Sequence, residues 1–455
     1  MSRASKNRKP AAPPLEYSLL LTATLCLLAF GAVMVFSASS ARSLLNHGGS
    51  GFYYLERTLI FGAIGLLAMR VASVRGVAAI RPLTPLILGA SLFLLLAVLV
   101  PGLGQTVNGS QRWIGAGLFQ FQPSEFAKLA LVLYGAYLLA KEPKRARSLG
   151  GLGPYLVIVG LALLLIAMEP DLGTTIIASS AVCCVLFLGG VKPRTLAPVG
   201  IAIAVIGIGM ISMNPYQEAR LTGFLNPSSD SSGAGFQAKQ ATIAVGSGGL
   251  FGVGLGESVQ KASYLPEAHT DMIAAVIGEE LGLAGMFVLI GLFGMFGYAG
   301  LRAAHRARDR FSKLLAAGLT SLIMAQAALN LFAMLGLAPL TGVPLPFVSY
   351  GGTSLVMTLA AAGLILNVAR RPVRASASGR SGKSRSRAAG RRTAGGPARL
   401  RVVDGDDARV LRAKRGATRN AHGRKRAASG KSRDSGRRHG GARRTGDRRR
   451  RRASR

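Results

Sequence analysis

The chain has 455 residues, of which 49% are apolar and only 16% charged, with a net charge of +37 and a mean hydropathy of +0.36. This composition excludes an ordinary soluble globular protein and points to a membrane. The charge is uneven, because residues 371–455 hold 30 of the 56 Lys and Arg residues and five of the 19 acids.

A short basic arm, 1–16, carries Arg3, Lys6, Arg8 and Lys9. Ten apolar runs follow, at 17–38, 56–73, 82–101, 124–140, 152–168, 172–190, 195–212, 272–300, 311–337 and 347–369. Each is near the length of about 20 residues that a helix needs to cross a bilayer. No period-2 alternation suggests a barrel, and helices are the other way to satisfy every backbone group in lipid. The predicted fold is therefore an all-α integral membrane protein with ten transmembrane helices. A large extracytoplasmic loop, 213–271, separates helices 7 and 8. The first run follows a basic start and ends at Ser37-Ala-Ser39, as a signal peptide would, but its length favours an uncleaved anchor. Cys26, Cys183 and Cys184 fall inside predicted spans and show no metal-ligand spacing.

Orientation follows from the basic residues of short loops. Alternate loops hold Arg70, Arg75 and Arg81; then Lys141, Lys144, Arg145 and Arg147; then Lys192 and Arg194; then Arg302, Arg306, Arg308, Arg310 and Lys313. The loops between them are poor in basic residues. Both termini are expected in the cytoplasm and 213–271 outside.

Polar groups near the spans carry the functional argument. Gln122-Pro-Ser-Glu125 opens the fourth span, with Pro123 suited to a first helical turn and Glu125 to the positive helix end. Lys128 lies on the same face as Glu125, either as a local ion pair or as a cation that points into a polar cavity and holds a phosphate there. Asp171, in the turn Glu169-Pro-Asp-Leu-Gly-Thr174, can cap the next helix or line a cavity. Within 213–271, the run from 237 to 245 reads as a short helix. The glycine-rich stretch Gly246 to Gly256 lacks the Lys-Ser/Thr ending of a nucleotide-binding loop.

The densest cluster is Tyr264-Leu-Pro-Glu-Ala-His-Thr-Asp271, at the mouth of the eighth span. Asp271 admits two readings, the cap of that helix or a working carboxylate. Glu267, His269 and Thr270 crowd beside it, and Glu279 and Glu280 follow one or two turns deeper. Ionisable groups at membrane depth are costly and usually serve transport or chemistry. Asp271 and Glu279 are eight apart, near one helix face, where two carboxylates raise each other's pKa or hold a divalent cation. Gln326 and Asn330, four apart, suit interhelical hydrogen bonds. Pro344-Leu-Pro-Phe-Val-Ser-Tyr-Gly-Gly352 implies irregular backbone at membrane depth, tolerated only inside protein or beside water. The tail 371–455 is too poor in large apolar residues to form a core. It suits contact with anionic inner-leaflet lipid or an acidic protein, or serves as a solvated anchor; without interleaved aromatics it does not read as a nucleic-acid binder.

Six stretches, in order, resemble the SEDS family (shape, elongation, division, sporulation) of bacterial cell-wall proteins. They are Asn108 to Ile114, Gln122 to Lys128, Glu169 to Thr174, Tyr264 to Asp271, Gly278 to Gly282 and Pro344 to Gly352. The resemblance covers about 15–370 and is nearer the division branch than the elongation branch. Met272 stands where the family usually has Phe. The family resemblance implies a ten-helix peptidoglycan glycosyltransferase that polymerises lipid II on the outer face. It implies an FtsI-like class B penicillin-binding transpeptidase as partner, with other division membrane proteins, and a divalent cation, Mg²⁺ or Mn²⁺. It makes Asp271 the essential carboxylate, a general base toward the acceptor sugar hydroxyl. Beside it, Arg112, Lys128, Arg220, Lys239, Glu267, His269 and Ser349 are candidates for binding substrate. Asp271 and Glu279 are the candidate metal ligands. A lipid II flippase and a non-catalytic scaffold for the transpeptidase are the competing readings.

Overall fold

The computed structural model describes residues 13–46, 51–107, 110–117, 119–147, 149–226, 233–263, 265 and 268–370. Both the basic tail and Glu267 lie outside these residues. The helices are α1 (Leu15–Asn46), α2 (Tyr53–Leu99), α3 (Pro123–Lys141), α4 (Leu149–Met168), α5 (Leu172–Leu188) and α6 (Pro193–Met213). After them come α7 (Pro215–Leu225), α8 (Ala234–Ser247), α9 (Gln260–Ser263), α10 (Ile273–His305), α11 (Arg310–Met334) and α12 (Gly352–Arg370). Among the described residues, seven helices are long and apolar enough to cross a membrane: α1, α2, α4, α6, α10, α11 and α12.

The all-α expectation needs a correction. Between α2 and α3 lies a three-stranded antiparallel sheet in the order β1 (Gly104–Val107), β2 (Ser110–Ala116), β3 (Phe119–Phe121). Its sequence signal is the Asn108-Gly109 dipeptide between two short runs, a strong hairpin mark. The predicted spans 56–73 and 82–101 form the two limbs of α2, which breaks at Gly76, where φ is +58°. Asn367 of α12 satisfies the break: its Nδ2 donates to the Ser73 carbonyl at 2.7 Å, and its Oδ1 accepts from the Val77 N–H at 3.3 Å. A Cβ at Gly76 would lie 2.0 Å from that amide, so the position excludes any other residue. The tenth predicted run also starts too early, since α12 begins at Gly352 and residues 347–351 are non-helical.

A second break organises the outer segment. Inside α10, Gly282 has φ +63°, and the turn 248–254 runs alongside it. Val253 and Gly254 donate N–H groups to the Glu279 and Glu280 carbonyls at 3.0 and 3.1 Å. In return, Leu283 and Ala284 donate to the Gly249 and Leu250 carbonyls at 3.0 and 3.1 Å. The glycine-rich stretch is thus a backbone splint for a broken helix, which meets the demand that every polar group at membrane depth be paired.

The core lies between α3, α5, α10, α11 and α12, whereas α6 buries no residue. Ile201, Ile208 and Phe287 project outward, the pattern of a bundle whose exterior faces lipid.

Candidate active site

A cavity of about 540 Å³ gathers residues that are far apart in sequence. Arg57 enters from the N-terminal end of α2, Arg112 and Trp113 from β2, and Glu125 from the first turn of α3. Asp171 comes from the turn before α5, Arg220 from α7 and Asp271 from the approach to α10. The loop Gly342–Gly352 contributes Tyr350 and several backbone positions to the wall. Three guanidinium groups and three carboxyl groups therefore share one chamber.

Asp271 is half-buried in this wall. The N-cap of α10 is Met272, which makes no side-chain cap bond, so the capping reading of Asp271 is not the arrangement found. Its carboxylate accepts from the Thr270 hydroxyl at 3.2 Å. Its backbone carbonyl is gripped by Asn330, whose Nδ2 donates to it at 2.8 Å and to the Val343 carbonyl at 2.8 Å. Burial pushes the carboxyl above the usual carboxylate range, while the Arg220 guanidinium and the Thr270 hydroxyl pull it back. A carboxylate with a raised pKa is a stronger base, which suits proton abstraction.

The arginines are held differently. Arg220 lies over the Tyr216 ring at 4.5 Å and faces Gly342, where φ is +72° and a Cβ would come within 3.2 Å of the guanidinium. Arg57 lies over the Tyr53 ring at 4.4 Å. Arg112 donates from Nε to the Glu169 carbonyl at 2.9 Å and from Nη2 to the Pro170 carbonyl, and its Nη1 is 4.0 Å from Asp171 Oδ2. Asp171 does both things the sequence allowed. It caps α5 through the Thr174 N–H at 2.9 Å and lines the cavity. Glu169 behind it is fully buried, and its carboxyl is pushed up to about 9, first by burial and then by Asp171, against the pull of Arg112 and Ser124.

Comparison with known proteins decides the family. The family model described as "Cell cycle protein", covering FtsW, RodA and SpoVE, matches residues 17–373. The chain belongs to this family. It is 40% identical over 365 residues to the probable peptidoglycan glycosyltransferase FtsW of Trichlorobacter lovleyi, covering 78% of this chain and 93% of that one. It is 41% identical over 354 residues to stage V sporulation protein E of Bacillus subtilis, covering 77% and 96%. Among solved structures it resembles a chain from work on the structural coordination of polymerization and crosslinking by a peptidoglycan synthase complex. That match has a TM-score of 0.66 and 28% identity, covering 80% of this chain and all of that one.

The candidate residues divide into those that line the chamber and those that do not. Asp271, Arg112 and Arg220 meet in the cavity. Lys128 does not line it; the ammonium is buried and bonds Glu125 Oε1 at 2.8 Å and Gln326 Oε1 at 3.0 Å. Gln326 in turn donates to the Pro344 carbonyl at 2.9 Å, so Lys128 links α3 through α11 to the cavity loop instead of holding phosphate. Lys239 is exposed on α8, away from the chamber. His269 is buried, with its ring 4.2 Å from Tyr54 and 5.5 Å from Tyr350, and its carbonyl accepts from the Tyr350 N–H at 2.9 Å. Ser349 knits its own turn, its Oγ accepting from the Leu345 N–H at 2.8 Å. These two shape the wall and are not in it.

The expected metal pair is not assembled. Glu279 accepts from the Ser258 hydroxyl and from the Val259 N–H at 3.1 Å, so it caps the turn leading into α9. Glu280 is equally engaged, with Lys261 Nζ at 2.6 Å and the Ser37 hydroxyl of α1 at 2.6 Å. Among the described residues no group of three or more His, Cys, Asp or Glu is placed to hold a metal ion. Glu279 does not line the chamber that holds Asp271.

Sequence reasoning missed Arg57, Trp113, Tyr350 and Lys261. Arg57 carried a signal, as an arginine at the start of the 56–73 span, on the side that the alternation of basic loops assigns to the outside. Lys261 carried none, because its partners lie on α1 and α10.

Proposed function

We propose that this chain is a peptidoglycan glycosyltransferase that polymerises lipid II into glycan strands at the outer face of the cytoplasmic membrane, for septal wall synthesis. The observation that carries the reading is Asp271, a carboxyl held above its ordinary pKa, in one chamber with Arg57, Arg112 and Arg220. Glycosyl transfer from a polyprenyl diphosphate needs both parts. Asp271 takes the proton from the acceptor sugar hydroxyl as that oxygen forms its bond to the donor's anomeric carbon. The bond from that carbon to the diphosphate oxygen breaks, and its electron pair leaves with the polyprenyl diphosphate. The guanidinium groups stabilise the negative charge that accumulates there. A positioned base contributes typically about 10²–10⁴-fold.

Ten crossings are the count we favour: α2 supplies two through its Gly76 break, and α3 and α5 join the long apolar helices. With the basic loops inside, both termini are cytoplasmic and the Asp271 mouth faces outward. A class B penicillin-binding transpeptidase is the proposed partner, supported by the likeness to a complex that couples polymerization with crosslinking. The cluster of three guanidinium and three carboxyl groups at one mouth favours polymerisation over a flippase, whose site belongs near mid-membrane. The test is purified protein with labelled lipid II, with and without the transpeptidase. Glycan strands are expected. Transbilayer movement of lipid II without any polymer would overturn the reading in favour of transport.

A further inference from the structure

The turn that splints α10 exposes apolar side chains where a soluble loop would be polar. Leu250 is 67% exposed and Phe251 is 83% exposed, and Val253, Leu255 and Val259 are exposed beside them. The stretch from Gly246 to Gly256 contains no charged residue. Its backbone is tied down on both sides of Phe251, through the four hydrogen bonds to α10 and a fifth from the Gly252 N–H to the Gly248 carbonyl at 2.8 Å. The turn cannot retreat from α10. A Cβ at Gly252 would lie 2.1 Å from the Glu280 carbonyl oxygen, and one at Gly248 would lie 1.9 Å from that of Gly278.

Its height relative to the membrane follows from α10. The first charge at the far end is Arg302, which pairs with Glu16 at 2.9 Å. From Leu283 to Leu301 the helix rises about 28 Å at 1.5 Å per residue. The hydrocarbon layer is about 30 Å thick. If the charged end sits at one boundary, the break and its splint sit at the other. The apolar surface is also continuous, because Leu283, hydrogen-bonded to Gly249, and Phe287, one turn along, are exposed on α10.

We propose that the turn 249–255 is a membrane anchor, its apolar side chains seated among the acyl chains of the leaflet at the N-terminal end of α10. Lipid is the occupant because the surface continues a membrane-spanning helix and because no charge falls between Gly246 and Gly256, the exposed Glu257 marking its edge. The anchor sets the depth of the splint, and through Glu279, Glu280 and α9 it sets the height of the segment that ends at Asp271. The inference rests on α10 crossing the membrane and is independent of which reaction the cavity performs.

The test uses the full-length Phe251→Trp protein, and separately Val253→Trp, in vesicles, with wild-type emission from Trp113 subtracted. Lipids brominated on their acyl chains should quench the added tryptophan, and aqueous iodide should not. Quenching by iodide with none from brominated lipid would place the turn in water and overturn the proposal. Protection from both quenchers would show a protein cover, a second copy or a partner, and would overturn it equally.

Discussion

Replacing Asp271 with Asn separates a catalytic carboxylate from a structural one. The structure fixes the size of each effect. The side chain gives up at most the bond from Thr270, since it caps nothing and Asn330 grips the backbone carbonyl, which the substitution leaves intact. Loss of one such hydrogen bond is worth about 0.5–1.5 kcal/mol of stability. Loss of a general base costs about two to four decades of rate, or roughly 3–5 kcal/mol of barrier at 1.36 kcal/mol per decade. Melting should therefore change little while polymerisation collapses. The assay is glycan chain formation from labelled lipid II, with the transpeptidase partner present, run beside thermal melting of the same preparations. Polymerisation within a few-fold of wild type would refute the assignment. So would a loss of activity matched by an equally severe loss of stability, which would make Asp271 a structural residue.

Three further outcomes follow from the same geometry. Arg220→Gln removes the cation that holds the Asp271 pKa down, so the carboxyl titrates higher and the acid limb of the kcat/KM profile moves to higher pH; an unmoved limb would break the link between the two residues. Glu169 is protonated in the folded protein up to about 9 but ionises near 4.5 when unfolded, so the folded state binds the extra proton and wild-type stability should fall as pH rises through that window. Glu169→Gln should flatten that fall in melting curves, and a parallel curve would show that Glu169 is ionised in the fold. Lys128→Met leaves Glu125 buried without its cation and should cost about 3–5 kcal/mol, with much of the loss recovered in the Glu125→Gln, Lys128→Met double variant. A single variant that melts normally but has a raised KM would instead return Lys128 to the substrate.

Much of the architecture was legible because hydropathy is a local property. A crossing helix must be apolar along its own length, so α1, α4, α6, α10 and α11 announce themselves wherever they pack. Asp271 stood out for a related reason, as a carboxylate at the mouth of such a helix. The irregular backbone before α12 was marked by Pro344, Pro346 and the Gly351-Gly352 pair. The Asn-Gly hairpin was equally local and was passed over among stronger helical signals.

What tertiary structure alone decided was the use of each charge. Glu279 and Asp271 share a helix face by sequence spacing, but the turn 256–260 folds back over Glu279 and takes its oxygens. Lys128 looked equally suited to phosphate and to an ion pair, until Gln326, nearly two hundred residues away, closed around it. Arg57, Arg112 and Arg220 come from three distant elements and meet only when the bundle is assembled. Spacing along one helix constrains where side chains point. Which partner reaches them first is settled by elements far away in the chain, and at membrane depth the large cost of an unpaired charge makes that pairing decisive.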